Sequence, residues 1–152
     1  MRLGTISNIK IKEICEKLKI PLQGVLMKDQ FNKSSSNGVY IMNLNNSNQS
    51  GSHWTVLIRM TKNNYYYMDS FGVVPPQTTL DDLKINPDKL YYNDQQIQHT
   101  KASNCGYYCI YFAYCWVNNK KPVDAVKAFL SNFTEDEKEN DKTLKTIFEK
   151  LL

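Results

Sequence analysis

Asn104-Cys105-Gly106-Tyr107-Tyr108-Cys109-Ile110-Tyr111-Phe112-Ala113-Tyr114-Cys115-Trp116-Val117 is the stretch whose reading decides the fold. From Gly106 onward it is nearly all apolar. Its β-propensity would allow a buried strand. Its length favours a helix, and a helix apolar all round is one surrounded by protein. The reading adopted is a core helix that starts at Cys105.

Other elements fall into place around it. Ile11, Ile14, Cys15 and Leu18 share one face at helical spacing, with Ser7 or Asn8 as the cap. Gly38 to Met42 is a short apolar run that reads as a strand. Trp54 to Met60 and Tyr65 to Met68 flank the polar turn Lys62-Asn63-Asn64, a hairpin signal. Leu90-Tyr91-Tyr92 is a weaker strand. Pro122 opens a helix that carries Val123, Val126, Phe129 and Leu130. Asp141 is expected to cap a last helix with Leu144, Ile147, Phe148 and Leu151 on one face. Helices at both ends and strands between them predict an α+β fold, with a central mixed or antiparallel sheet flanked by helices. No repeat or interdomain linker interrupts residues 1–152, so one domain is expected. The Ser/Asn-rich pieces, Asn32 to Asn37 and Asn43 to Ser52, read as loops within it.

Composition narrows the function. The 152 residues are 41% hydrophobic and 22% charged, enough for a real core. The net charge of +4 permits contact with an acidic polymer without requiring it. Heavy use of Asn, Lys, Ile and Tyr suggests an AT-rich genome. No apolar run approaches the roughly 20 residues that span a bilayer. The start, Met1-Arg2-Leu3-Gly4-Thr5, has neither the apolar region of a signal peptide nor a glycine for myristoylation. A soluble intracellular protein is therefore expected, and with it four cysteines outside any disulfide framework. Cys105-x-x-x-Cys109 lacks the spacing of a zinc knuckle and only two histidines are present, so no metal site is expected.

Four short signals then occur in one order: His53-Trp54, Asp69-Ser70-Phe71-Gly72, Gln98, and Asn104-Cys105-Gly106. A cysteine nucleophile must be a thiolate, and a free thiol near about 8.5 is mostly protonated at neutral pH. A histidine partner and a helix N-terminus both lower that value. Cys105 begins the predicted helix, whereas Cys109 and Cys115 lie deeper in the apolar run and Cys15 sits on a core face. Cys105 is equally readable as one more small buried residue. His53, after Ser50-Gly51-Ser52, and His99 are the candidate bases. Trp54 is placed to wall the site and restrict the ring beside it. Asp69 ends the second hairpin strand near the beginning of the first, where it could orient His53. It is also an ordinary turn residue. Gln98, with Gln95 and Gln96 as competitors, could pair its amide N–H with that of Cys105 to form an oxyanion hole. Gly106 would admit a close substrate carbonyl.

This order resembles the adenovirus maturation protease, adenain, within the clan that holds the SUMO and ubiquitin-like-protein proteases. Val39-Tyr40-Ile41-Met42-Asn43 is similar to that family's strand before the histidine loop, and Leu22-Gln23-Gly24-Val25 to Asp29 has a weaker counterpart. The spacing from Gln98 to Cys105 and the Ser50-Gly51-Ser52-His53-Trp54 approach resemble adenain more than the SUMO proteases. The resemblance implies a cysteine peptidase with Cys105 as nucleophile, His53 as base, Asp69 as third member and Gln98 as oxyanion donor. Trp54, Gly106 and Gly51 would contact substrate. Adenain has Glu where Asp69 stands, as the SUMO proteases have Asp, and the chain is shorter than adenain by several loops. The family implies cleavage of viral capsid or core precursors after small residues such as Gly, with no required cofactor and activation by DNA or a viral peptide. It also implies a compact, monomeric enzyme of a virion and its host cell's cytoplasm or nucleus, without membrane contact, encoded by a small DNA virus or virophage. Competing readings are a ubiquitin-like-protein isopeptidase, an acyltransferase using the same thiol, and a nucleic-acid-binding module using Lys and Tyr side chains such as Tyr65-Tyr66-Tyr67.

Overall fold

The computed structural model describes residues 2–32, 35–45, 47–48 and 53–152, and the backbone alone of Lys62. The elements in chain order are α1 (Asn8–Lys17), β1 (Leu22–Met27), β2 (Gly38–Asn43), β3 (Trp54–Arg59), β4 (Tyr65–Met68), α2 (Gln77–Leu83), β5 (Leu90–Tyr92), α3 (Cys105–Val117), α4 (Pro122–Leu130) and α5 (Glu137–Leu151). The five strands lie in the order β1-β2-β3-β4-β5. The outer pairs are parallel and the inner ones antiparallel, so the sheet is mixed and the expected α+β class holds.

Alternation along the strands builds a core on each face. Val39, Ile41, Val56, Ile58 and Met68 point toward α1, α3, α4 and α5, where Phe112, Phe129, Leu144 and Phe148 complete the larger core. Tyr40, Met42, Leu57, Tyr65 and Tyr67 point the other way, onto Phe31 and onto Leu80 and Leu83 of α2. The Tyr65-Tyr66-Tyr67 run thus alternates between two cores, and none of its rings is a free stacking platform. The exposed tyrosines are Tyr91 and Tyr92 on the short edge strand.

The apolar stretch is helix α3, and its start at Cys105 is as expected. Ser7 caps α1 by accepting the Lys10 N–H at 3.2 Å. Several local expectations need correction. Asp136, rather than Asp141, caps α5, accepting the Glu139 N–H at 3.2 Å. Val123 faces solvent on α4, whereas Phe129 further along the same helix is fully buried. Strand β1 was not expected as a strand, the family resemblance giving Leu22 to Asp29 only a weak counterpart, because a parallel edge strand half-covered by α1 lacks clean alternation. Helix α2 gave no signal: it is short, contains Thr78 and Thr79, and follows Pro76 without a side-chain cap.

Candidate active site

Each residue of Asp69-Ser70-Phe71-Gly72 has a separate structural task. The β3–β4 ladder ends with Val56 opposite Met68, so the chain enters β3 and leaves β4 at the same end of the sheet. There the His53 Nε2 lies 2.9 Å from Asp69 Oδ1. The same carboxylate oxygen accepts the Phe71 N–H at 2.8 Å, which closes the turn and fixes the carboxylate plane. Phe71 then lies over the imidazole, with ring centroids 4.9 Å apart and planes inclined by 24°. The Ser70 carbonyl accepts the N–H groups of Ile97 at 2.8 Å and Gln98 at 3.0 Å, and its hydroxyl donates to Gln98 Oε1 at 2.6 Å. Gly72 has φ of +70°, and a Cβ there would meet the Gln95 carbonyl carbon at 2.6 Å. Glycine is required both for the left-handed backbone and for the passing 95–96 backbone. The turn that supplies the carboxylate thus also docks the Gln98 segment.

Asn93 completes this support and gave no sequence signal. Its Oδ1 accepts the Asp69 N–H at 3.2 Å, and its Nδ2 donates to the Asp69 carbonyl at 3.0 Å and the Gln95 carbonyl at 3.3 Å. Asn93 is buried, so both backbone groups of Asp69 find partners away from water.

Cys105 lies across the cleft at the first residue of α3, with its Sγ 3.5 Å from the Trp54 N–H. Burial pushes the thiol up. Hydrogen bonds from the His53 ring and the Trp54 N–H, the His53 charge, and the Gly106 N–H outweigh that and leave it below the ordinary thiol value. For His53, burial alone would lower the imidazole, but hydrogen bonds to Asp69 and Cys105 and their charges carry it up to about 9. The two opposite shifts draw the thiol and the imidazole toward a thiolate–imidazolium pair. With Nε2 on Asp69, Nδ1 is the nitrogen left for sulfur. The other thiols shift the opposite way: burial raises Cys15 to about 12, Cys115 to about 11, and Cys109 well above its ordinary value.

Gln98 is fully buried at the cleft wall. Its Nε2 donates to the Ala102 carbonyl at 2.8 Å, which with the Ser70 contact fixes the amide orientation and leaves one Nε2 hydrogen uncommitted. Its two competitors are used elsewhere. Gln95 supplies backbone contacts, and Gln96 Nε2 donates to the Gln98 carbonyl at 3.1 Å. His99 turns into its own loop, where its Nδ1 accepts the Lys101 N–H at 3.2 Å.

Trp54 lines the cleft and donates its ring N–H to the Ile6 carbonyl at 3.1 Å. The ring that stacks on His53 is Phe71, so restriction of the imidazole falls to Phe71 and not to Trp54 as expected. Gly106 follows Cys105 in the first turn of α3. A Cβ there would collide with Ile6 Cγ2 at 2.1 Å, so its missing side chain makes room for the N-terminal segment. Gly51 lies outside the described residues. The cleft has a volume of about 570 Å³ and runs from Cys105 and His53 between Thr5–Asn8 and the end of β1. Among the described residues, no Asp, Glu, Lys or Arg lines it. Among the described residues, no group of three or more His, Cys, Asp or Glu side chains could hold a metal ion. Likewise no described helix is long and apolar enough to cross a membrane.

No protein-family model and no curated protein matches the chain by sequence. Solved structures do match its fold. The crystal structure of ASFV pS273R protease is 15% identical with a TM-score of 0.53, covering 93% of this chain and 66% of that one. The central domain of the uncharacterized Lpg1148 protein from Legionella pneumophila is 10% identical with a TM-score of 0.50, covering 97% of this chain and 96% of the domain. The chain therefore spans about two thirds of the viral protease's length and shares its α+β fold.

Proposed function

We propose that the protein is a cysteine endopeptidase in which Cys105 attacks, His53 transfers protons, Asp69 orients His53, and Gln98 with the Cys105 N–H receives the oxyanion. The observation that carries this reading is the selectivity of the electrostatics. Of four thiols only Cys105 is shifted down, and it alone faces an imidazole held by a carboxylate at 2.9 Å. The fold shared with a viral protease supports it.

The chemistry runs in two halves. The Cys105 thiolate forms a C–S bond to the scissile carbonyl carbon, and the carbonyl π electrons move onto oxygen. The oxyanion is stabilised by donors already aimed at it. As it collapses, the C–N bond breaks and imidazolium His53 gives its proton to the leaving amine, producing a thioester. Neutral His53 then takes a proton from water, the resulting hydroxide adds to the thioester carbonyl, and the C–S bond breaks to return the thiolate and release the carboxylate product. Thiol, imidazole and amide suffice, so no metal or organic cofactor is required.

The substrates in this reading are viral capsid or core precursors cut after small residues such as Gly during virion maturation, with DNA or a viral peptide as activators. The decisive experiment incubates wild-type protein and Cys105→Ala with the capsid proteins encoded beside it and maps new termini by mass spectrometry. Defined wild-type-only termini support maturation. Release of a ubiquitin-like modifier from a conjugate, with intact capsid proteins, would transfer the substrate to the isopeptidase class. No thiol-dependent cleavage of either would end the peptidase reading. Added DNA should raise the rate at low salt and lose that effect as counterion release erases the contacts.

A further inference from the structure

Gly4 to Ser7 cross the start of α3 before the chain enters α1. Gly4 has φ of +144°, a backbone conformation that favours glycine, and a Cβ there would lie 3.9 Å from the Ser103 hydroxyl oxygen. Ser7 ends the crossing with extended backbone, and its hydroxyl caps α1. Thr5 and Ser7 are exposed, whereas Ile6 between them is buried in the larger core. Leu3, upstream, packs on that core only in part. Ile6 is thus the anchor of the crossing, and the alternation is that of an extended chain with one face against the protein.

Two contacts seat Ile6. Its carbonyl accepts the Trp54 indole N–H at 3.1 Å, in a buried hydrogen bond. Its side chain occupies the space beside Gly106: a Cβ on residue 106 would lie 2.1 Å from Ile6 Cγ2 but 3.6 Å from Ile6 Cβ, the latter an ordinary contact. The bare Gly106 and the indole N–H of Trp54 therefore set how closely the segment approaches the first turn of α3. That turn carries Cys105, which is 9% exposed. Thr5, Ile6 and Ser7 line the cleft that leads to this sulfur, as do Leu26 and Met27 of β1.

We propose that the Thr5–Ser7 segment is the wall that selects substrates by size at Cys105, and that Trp54 acts on this selection by latching the wall through its indole N–H. The proposal rests on, and deepens, the reading of Cys105 as the nucleophile of a peptidase. It assigns Ile6, Trp54 and Gly106 to specificity: the polypeptide admitted is uncharged and carries small side chains beside the scissile bond.

The test needs no cleavable substrate. Cys105 is alkylated with iodoacetamide and with its N-benzyl derivative, and modification at Cys105 is followed by mass spectrometry. The two reagents share a reacting group, so the ratio of their rates cancels the thiolate fraction and reports access. Hydrogen exchange at residues 4–7 reports whether the segment has moved, and thermal melting reports whether the fold is intact.

Trp54→benzothienylalanine keeps the bicyclic ring and puts sulfur in place of the N–H. Gly106→Ala drives a methyl group into Ile6 Cγ2 and lifts the segment off α3. Each should raise the ratio of the benzyl rate to the iodoacetamide rate by about three- to tenfold, since one methylene in a shaped pocket is worth about tenfold or more. Exchange at residues 4–7 should speed up in both. Ile6→Ala/Gly106→Ala removes the colliding Cγ2 and leaves the carbonyl of residue 6 for the indole, so the ratio should return to within about twofold of the parent. A merely structural role would not produce this rescue, because a second core truncation adds to a loss of stability. The proposal is overturned if either single change leaves the ratio at the parent value, or if the double variant stays as permissive as Gly106→Ala. If Gly106→Ala does not fold, the benzothienylalanine variant decides alone. Ratios that move while no peptide is cleaved keep the wall and sink the peptidase reading, and cleavage with unmoved ratios does the reverse.

Discussion

The two sides of the candidate site are built by different means. His53 and Asp69 belong to the ends of adjacent antiparallel strands, and their 2.9 Å contact follows from the β3–β4 register and one tight turn. Gln98 and Cys105 belong to a loop and the helix it enters, and side chains distant in sequence hold that loop. Ser70 grips Gln98, Asn140 holds Ile97, and Asp141 holds Tyr108 of the helix that Cys105 begins. Backbone ladders position His53, the proposed base, whereas polar side chains brace the segment that carries Gln98 and Cys105, the proposed oxyanion donor and nucleophile. Such networks are sensitive to partial loss, because one removed member leaves another buried and unsatisfied. The sheet side should therefore tolerate change in its supporting residues better than the loop side does.

The largest expected effect removes the reacting groups themselves and bears on the two sides equally. Cys105→Ala should abolish cleavage and His53→Ala should remove nearly all of it, with melting temperatures close to the parent. His99→Ala should leave cleavage almost intact, since that ring contacts Lys101 in its own loop. Loss of activity in His99→Ala with full activity in His53→Ala would dissolve the site as drawn.

Next comes Gln98, the proposed oxyanion donor. Gln98→Ala should lower kcat by ~10²–10³ with little change in KM, the usual cost of one lost donor. Gln95→Ala should be close to neutral because its contacts are made by backbone. Ser70→Ala sharpens the comparison: it leaves Gln98 Oε1 without its hydroxyl donor and should reduce kcat by a smaller factor in the same direction. A pure KM effect at Gln98 would make it a substrate-binding residue.

How much of this was open to inspection in the sequence differs between the two sides in the same way. His53, Asp69, Gln98 and Cys105 could be singled out by type, order and family resemblance. The hairpin that juxtaposes His53 and Asp69 was legible from two apolar, β-prone runs flanking the polar turn Lys62-Asn63-Asn64. Its register was not, because two-residue periodicity gives the face of a strand and leaves its partner unspecified. Asn93, Asn140 and Asp141 were invisible as supports, since an Asn or Asp in a polar stretch resembles any surface residue until the fold buries it. Asp141 was misread as a cap for that reason. Phe71 could have been found, because an aromatic two residues beyond Asp69 in a turn has little to do unless it covers a neighbour. Helix α3 was readable because its apolar length leaves few alternatives.

The pH dependence tests the sheet side through its carboxylate. Asp69 helps to hold His53 up at about 9, so the imidazolium needed by the leaving amine is lost as pH rises through that value. The acid limb belongs to Cys105, whose thiolate persists below the ordinary thiol range because its pKa is lowered. The rate profile should be bell-shaped with its alkaline limb near 9. Asp69→Asn removes the charge and weakens the hydrogen bond, so the alkaline limb should move to lower pH. Its kcat should fall by less than in His53→Ala, since the base remains. An unmoved alkaline limb in Asp69→Asn would show that the limb does not report His53.

The smallest effect expected is at Asn93, and it tests whether the sheet side is the more forgiving. Asn93→Ala removes the acceptor for the Asp69 N–H and donors to the Asp69 and Gln95 carbonyls. Buried groups left unpaired cost about 1–3 kcal/mol, so the melting temperature should drop measurably. Asp69 nevertheless keeps its place at the end of β4, its Oδ1 still accepts the Phe71 N–H, and Phe71 still stacks on His53. The His53–Asp69 contact should therefore survive, with kcat reduced only a few-fold and the alkaline limb unmoved. Asn140→Ala is the matched change on the loop side, deleting a buried amide that donates to Ile97 and Thr134. It should cost comparable stability but a larger share of kcat, because the Ile97 carbonyl adjoins Gln98 and no strand holds that segment in register. Equal losses of kcat in the two variants at equal losses of stability would mean that both sides depend on buried amides alike.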